Sequence, residues 1–118
     1  MTSDAIGSLR ILIAEDSATD RLILETIVTK AGHVAIGAPD GVEALRAFTR
    51  ESPDIVLLDV LMPNLGGLDV AREIRKLTQD DVVPIIFLTS LSDQESLVEC
   101  LEVGGDDFIP KPYNQVVL

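Results

Sequence analysis

The fold of this 118-residue chain is decided by one stretch, IVLLD at Ile55–Asp59, in which four apolar residues are followed at once by an aspartate. A short apolar run bounded by turn residues predicts a strand buried on both faces, as in a parallel sheet with helices on either side. Asp59 then lies at the carboxyl end of that strand, where open α/β sheets bind their ligands. Because carboxylates seldom lie beside a buried run without a partner or a cation, we expect Asp59 to have a function.

Composition indicates a single globular domain in a reducing compartment. The length and a hydrophobic content of 47% are enough for a core without disulfides. The single cysteine, Cys100, excludes an internal disulfide framework and is typical of cytoplasmic proteins. Residues 1–8 lack the pattern of a signal peptide, and the apolar run at 82–88 is too short to span a membrane. We therefore expect a cytoplasmic protein with no membrane partner.

The net charge of −11, from 20 acidic and 9 basic residues, restricts the partners of the chain. Nucleic-acid-binding domains need a basic face, because phosphate neutralisation supplies most of their affinity. We therefore do not expect this segment to bind DNA or RNA directly. Most of the acidic residues are expected on a solvated surface, and a few of them in a site for a divalent cation.

Four more strands are predicted to alternate with helices along the chain. The strands are predicted at 10–14, 34–38, 83–88 and 107–110, and the helices at 17–31, 40–52, around 70–77, 93–103 and from 114 onward. This alternation predicts a doubly wound α/β fold, with a five-stranded parallel sheet and helices on both faces. The buried stripe of the third helix is predicted to contain Val70, Ala71, Ile74 and Leu77. We expect residues 1–8 to be an N-terminal extension and 9–118 to be the domain, with its last helix largely missing.

The predicted strands end in residues that suit a phosphate and a metal ion. These are Glu15 and Asp16 after the first strand, Asp59 on the third, Thr89 on the fourth and Lys111 on the fifth. Parallel strands end at one edge of their sheet, so these side chains should meet there. At an effective dielectric constant near 20, each close pair of carboxylates costs about 4 kcal/mol, so the cluster needs Lys111, a divalent cation or both. Oxygen ligands alone favour Mg²⁺.

This arrangement predicts phosphoryl transfer. A phosphoryl group could approach the Asp59 carboxylate beside the bound cation, while Lys111 pairs with one phosphate oxygen and the Thr89 hydroxyl donates to another. Asp59 would then be the nucleophile and would form an aspartyl phosphate.

Taken in order, these residues resemble the receiver domain of two-component response regulators over residues 9–118. The resemblance is carried by Glu15-Asp16, by Asp59 with Met62-Pro63 and Gly67 behind it, by Thr89-Ser90, and by GGDDFIPKP at 104–112. Each piece alone is weakly specific, but together and in this order they are highly specific. The resemblance implies the flavodoxin-like strand order 2-1-3-4-5. It also implies that a histidine kinase or a phosphotransfer protein donates its phosphoryl group to this domain.

The resemblance also implies which residues hold the metal and the phosphoryl group. Asp59 is the phosphoacceptor, and Mg²⁺ is held by Asp16, Asp59 and the backbone carbonyl of Leu61, with Glu15 assisting through water. Lys111 pairs with the phosphoryl group, and its bond to Pro112 is cis, which is unusual because about 5–6% of X-Pro bonds in folded proteins are cis.

A conformational switch is implied as well. Thr89 and Ser90 form the phosphate-binding side of the switch, and Phe108 rotates into the space that Thr89 leaves. The surface of the fourth helix, fifth strand and fifth helix then changes its affinity for partners. The expected partners are an output domain beyond Leu118, a downstream protein, or a second copy in a phosphorylation-dependent dimer. No enzymatic activity is expected beyond the domain's own phosphorylation and dephosphorylation.

Two residues that depart from the family pattern predict that the phosphoryl group is lost slowly. Leu61 and Leu91 lie two residues beyond Asp59 and Thr89, where polar side chains can guide the attacking water, so autodephosphorylation should be slow. His33 is expected to be a turn residue at the surface, with no role.

Three other functions fit parts of the sequence. A phosphatase with an aspartyl nucleophile needs a second aspartate where Leu61 stands, and a nucleotide- or flavin-binding domain needs a phosphate loop where Glu15-Asp16 stands. A receiver-like interaction module that works without phosphorylation is the remaining alternative. The intact set of strand-end residues argues against that module.

Overall fold

The computed structural model describes residues 8–62, 64–78, 83–90 and 106–111. The strands are β1 (Arg10–Ala14), β2 (Val34–Ala38), β3 (Ile55–Asp59), β4 (Ile85–Ser90) and β5 (Asp107–Lys111). The helices are α1 (Ala18–Lys30), α2 (Gly41–Glu51) and α3 (Gly67–Thr78). The strands pair in parallel in the order β2-β1-β3-β4-β5, which confirms the predicted sheet and its strand order. The predicted fourth and fifth helices, Leu91 and Pro112 lie outside the described residues, and the predicted domain boundaries stay predictions.

Both faces of the sheet are covered by helices, because side chains along each buried strand alternate between the faces. Leu12 of β1 belongs to a cluster that includes Phe48 of α2 and Ile74 of α3. Its neighbour Ile13 belongs to a second cluster, with Leu24 of α1. The apolar runs of the central strands are therefore buried from two sides, which confirms the doubly wound α/β arrangement.

Polar caps begin the first two helices where the sequence predicts them. The Ser17 hydroxyl accepts a hydrogen bond from the Asp20 N–H at 3.2 Å, and the Asp40 carboxylate accepts one from the Glu43 N–H at 2.8 Å. Such caps satisfy amide groups that have no partner inside the helix. Gly32 follows α1 with a φ of 93°, the left-handed conformation in which glycine commonly ends a helix.

The predicted burial of Leu77 is wrong. Val70, Ala71 and Ile74 are fully buried, but Leu77 is 57% exposed. Its position satisfies the helical repeat, yet it lies in the last turn of α3. A helix between two parallel strands runs antiparallel to them, so this turn lies at the amino-terminal edge of the sheet. The fully buried residues of α3 thus lie in its earlier turns, and Leu77 lies beyond them.

Two smaller expectations also need correction. Strand β4 begins at Ile85 rather than at residue 83, and Pro84, which has no N–H to donate, precedes it. His33 has a structural role, since its Nδ1 accepts a hydrogen bond from the Leu9 N–H at 3.0 Å and so joins the start of β1 to the turn before β2. No helix in the described part of the chain is long and apolar enough to cross a membrane.

Candidate functional site

Three carboxylates meet at the carboxyl-terminal edge of the sheet. Strands β1 and β3 are paired so that Ala14 lies opposite Leu58; β1 continues directly into Glu15 and Asp16, and β3 ends in Asp59. One carboxylate oxygen from each of Glu15, Asp16 and Asp59 lies within 4.8 Å of the other two. The structure therefore brings the three predicted carboxylates together.

The three carboxylates differ in their exposure to solvent. Glu15 is fully buried and Asp59 is 2% exposed, whereas Asp16 is exposed. Two of the carboxylates are withdrawn from water, and the cluster reaches solvent at Asp16. Hard cations bind oxygen ligands of this kind, and Mg²⁺ typically binds through one or two carboxylates and keeps several waters. The donor set of this site therefore fits Mg²⁺.

Glu15 is fixed through its backbone and its side chain together. Its N–H donates to the Ala38 carbonyl of β2 at 3.1 Å, and its carboxylate accepts from the Ser17 N–H at 3.2 Å. Its carbonyl accepts from Nη1 of Arg21 at 2.8 Å. Sequence reasoning missed Arg21, because the sequence shows a cation five residues after Asp16 but not its contact with Glu15.

Asp59 is held by the loop that follows it. Its Oδ1 accepts a hydrogen bond from the Leu61 N–H at 3.3 Å. The Val60 N–H donates to Leu88 of β4 at 3.2 Å, and the Gly67 N–H donates to the Val60 carbonyl at 2.9 Å. A Cβ atom on Gly67 would lie 2.1 Å from the Asp59 carbonyl oxygen, so this close approach of α3 requires glycine.

A surface cavity of about 450 Å³ opens beside the carboxylates. Its lining includes Asp16 and the loop residues Val60, Leu61 and Met62. The Leu61 side chain is 71% exposed. The exposed carboxylate of the cluster therefore borders a space that a ligand could enter, and the residue two positions after Asp59 faces solvent with an apolar side chain.

The remaining predicted site residues are placed by the backbone of the sheet. Leu88 lies opposite Asp59, and one strand further along Ser90 lies opposite Lys111, so Thr89, Ser90 and Lys111 end at the same edge as Asp59. Phe108 lies within β5, opposite Phe87. The side chains of these four predicted site residues are outside the described part of the structure, so their roles stay predictions.

Comparisons with known proteins agree with this geometry. The family profile of the response regulator receiver domain matches residues 11–118. The probable transcriptional regulator ycf27 of Guillardia theta is 46% identical over 105 residues, which are 89% of this chain. The chain spans 40% of the length of that relative.

Two solved structures are similar to this chain over most of its length. Chemotaxis protein CheY4 of Vibrio cholerae superposes with a TM-score of 0.87 at 28% identity, covering 94% of this chain and 92% of that one. The receiver domain of sensor histidine kinase PA1611 from Pseudomonas aeruginosa superposes with a TM-score of 0.83 at 31% identity. That match covers 93% of this chain and 90% of that receiver domain, which has a magnesium ion coordinated in its active site cleft.

Proposed function

The chain belongs to the response regulator receiver family of two-component signalling, and on that basis we propose that it accepts a phosphoryl group on Asp59 with the help of Mg²⁺. A phosphoacceptor role is general to this family. The observation that carries the assignment to Asp59 is its position: it is buried at the carboxyl end of the central strand, with carboxylate oxygens of Glu15 and Asp16 within 4.8 Å.

The proposed reaction is an in-line displacement at phosphorus. A carboxylate oxygen of Asp59 attacks, and an O–P bond forms. The P–N bond to the imidazole of the donor histidine breaks, its electron pair stays on the nitrogen, and that nitrogen then takes up a proton. The product is an aspartyl phosphate.

The acidic cluster supports the metal requirement. A phosphoryl group is itself anionic, so a cluster of three carboxylates repels it. Mg²⁺ held by Asp16, Asp59 and the Leu61 carbonyl, with Glu15 assisting through water, would offset that charge. The Leu61 N–H bond to Asp59 orients one carboxylate oxygen before any ligand arrives.

Residues on the neighbouring strands are proposed to complete the site. Lys111 pairs with a phosphoryl oxygen, and the hydroxyls of Thr89 and Ser90 bind another. Phe108 responds to the movement of Thr89, and the surface of the fourth helix, β5 and the fifth helix changes its affinity for partners. The support for this part is the strand register, which brings the ends of β4 and β5 beside the end of β3.

The proposed partners follow from the same chemistry. The donor is a sensor histidine kinase or a phosphotransfer protein in the cytoplasm. The output is a linked domain, a downstream protein or a phosphorylation-dependent dimer. A linked output domain is supported by the longer relatives, which are named probable transcriptional regulators and of which this chain spans about two fifths. The domain itself is proposed to catalyse only its own phosphorylation and slow dephosphorylation.

The test is the intact mass of the protein after incubation with acetyl phosphate, with and without Mg²⁺. Wild type should gain one phosphoryl group only when Mg²⁺ is present, and Asp59→Asn should gain none. Asp69→Asn, which changes an exposed aspartate on α3, is the matched control and should behave as wild type.

Two results would contradict the proposal. An adduct that survives in Asp59→Asn would mean that another residue is the acceptor. No adduct on folded wild type would favour the alternative, a receiver-like interaction module that works without phosphorylation.

A further inference from the structure

The side chain of Arg21 turns back from α1 to the end of β1. Its Nη1 donates to the Glu15 carbonyl at 2.8 Å, while its own N–H donates to the Ser17 carbonyl at 2.8 Å within the first helical turn. Both ends of Arg21 are therefore tied to the segment 15–17, which contains the acidic pair.

The hydrogen bond from Arg21 acts on the peptide group that joins Glu15 to Asp16. Because a peptide group is planar, fixing its carbonyl oxygen also fixes the direction of the N–H on Asp16. The other side of Glu15 is already fixed by the bond from its N–H to Ala38 of β2. Asp16 lies just beyond the last residue of β1, so Arg21 supplies orientation at the point where the sheet no longer does.

The stem of Arg21 also has a defined path across β2. A Cβ atom placed on Gly37 would lie 3.4 Å from Cδ of Arg21, so the aliphatic part of the side chain passes over β2 near Gly37. The guanidinium beyond it reaches the Glu15 carbonyl.

We propose that Arg21 is a positioning residue for the metal site, which orients the Glu15-Asp16 pair so that its carboxylates bind Mg²⁺. This inference rests on the proposed function, because it assumes that the acidic cluster binds the metal. In this role Arg21 acts through the backbone of Glu15, whose carbonyl accepts its hydrogen bond.

Arg21 can affect Mg²⁺ affinity in two opposite ways, by orienting the ligands and by its positive charge. A guanidinium bonded to the Glu15 carbonyl repels a cation bound at the acidic pair, so removing its charge alone would tighten Mg²⁺ binding. Loss of the hydrogen bond to Glu15 would instead loosen the ligands, and residues that orient metal ligands typically contribute 10–100-fold to affinity. The sign of the change therefore distinguishes the two roles.

The experiment compares Arg21→Met, Arg21→Lys and the control Arg46→Ala. Methionine keeps an aliphatic stem over Gly37 and removes the donor, whereas lysine keeps the charge and one donor group. Arg46 is a 67% exposed arginine that pairs with Glu43 on α2. The readouts are the Mg²⁺ dissociation constant by calorimetry, amide hydrogen exchange at Ser17 in metal-free protein, and thermal unfolding.

We expect Arg21→Met to weaken Mg²⁺ binding about tenfold and to speed exchange of the Ser17 amide, which donates to the Glu15 carboxylate. Arg21→Lys should lie between Arg21→Met and wild type, and Arg46→Ala should match wild type. In phosphorylation with acetyl phosphate, Arg21→Met should need about tenfold more Mg²⁺ for half the maximal rate, with the rate at saturating Mg²⁺ little changed.

Equal or tighter Mg²⁺ binding by folded Arg21→Met would overturn the inference, and so would a lower melting temperature with unchanged Mg²⁺ affinity. If Arg21→Met does not fold, Arg21→Ala and Arg21→Lys are judged by the same criterion. Wild type is measured separately, so failure of the proposed function is recognised by a wild type that neither binds Mg²⁺ nor forms the adduct.

Discussion

Arg75, in the last turn of α3, and Asp106, which precedes β5, form an ion pair of 2.9 Å across 31 residues of sequence. The Arg75 side chain is 13% exposed. Its Nη2 forms the ion pair, and its Nη1 donates to the Val83 carbonyl at 2.8 Å. The Asp106 carboxylate accepts the Ile85 N–H at 2.8 Å. This pair therefore ties α3 to the beginning of the two strands whose far ends reach the proposed site.

Removing the Arg75 side chain should destabilise the fold. Arg75→Ala leaves the Val83 carbonyl and the Asp106 carboxylate without this charged donor, and we expect a loss of about 1–2 kcal/mol in the free energy of unfolding by urea. The control is Arg72→Ala, on the same helix, whose pair with Asp69 is half exposed and should contribute less than about 0.5 kcal/mol. Equal losses in the two variants would contradict a special role for Arg75.

Gly67 and Gly66 should respond very differently to substitution by alanine. In Gly67→Ala the new Cβ would meet backbone atoms of Asp59 and Val60, which cannot move without displacing the proposed acceptor. We expect a loss of about 1–3 kcal/mol in the free energy of unfolding and slower phosphorylation by acetyl phosphate. In Gly66→Ala the nearest atom is the Val60 carbonyl oxygen at 3.5 Å, an ordinary contact, so both quantities should stay near wild type.

Mg²⁺ should stabilise the protein against unfolding. The folded protein brings three carboxylates together and the unfolded chain does not, so Mg²⁺ at about 100 times its Kd should add about 2.7 kcal/mol. Asp16→Asn removes the exposed carboxylate and should abolish most of this gain, whereas Asp69→Asn should keep it. Urea unfolding with and without Mg²⁺ measures the effect, and an equal gain in Asp16→Asn would place the metal elsewhere.

The phosphorylated protein should lose its phosphoryl group slowly. Leu61 is 71% exposed and cannot orient an attacking water, whereas the amide of Leu61→Asn can. After removal of acetyl phosphate, intact mass should show an adduct that persists for minutes in wild type and decays several-fold faster in Leu61→Asn. Leu22→Asn changes a similarly exposed leucine on α1 and should not alter the decay. Loss within seconds in wild type would refute the prediction.

Stability should depend on pH through Glu51. A hydrogen bond from Arg50, with a further one from Arg10, holds the pKa of Glu51 below its ordinary value of 4.5. A carboxyl whose pKa is lower in the folded state stabilises the protein above the unfolded pKa, and this contribution disappears as the pH falls through the folded pKa. Glu51→Gln should therefore be less stable than wild type at pH 7, and the difference should shrink below pH 4.5.

Urea unfolding from pH 7 down into the acid range tests this dependence. A difference between Glu51→Gln and wild type that stays constant or grows toward low pH would show that the ion pairs of Glu51 do not stabilise the folded state.

The sequence by itself determined the order of the strands, the starts of the first two helices and the acidic cluster. The run Ile55–Leu58 is typical of a strand buried on both faces, as in a parallel sheet, and residues such as Ser17 and Asp40 cap helices through local hydrogen bonds. Parallel strands end at one edge, so Asp59 and the acidic pair after β1 had to meet there. Local chemistry and strand periodicity were sufficient for these features.

Tertiary structure decided what depends on the distances between elements. Helical spacing placed Leu77 on the buried face, but the position of the end of α3 relative to the sheet left it exposed. The bond from Leu9 to His33 and the ion pair between Arg75 and Asp106 join residues far apart in sequence, which periodicity does not report. Arg21 is only six residues from Glu15, yet its bond to that carbonyl depends on how α1 packs against the sheet. Side-chain reach across packed elements is set by the assembled fold, so these contacts were beyond the sequence alone.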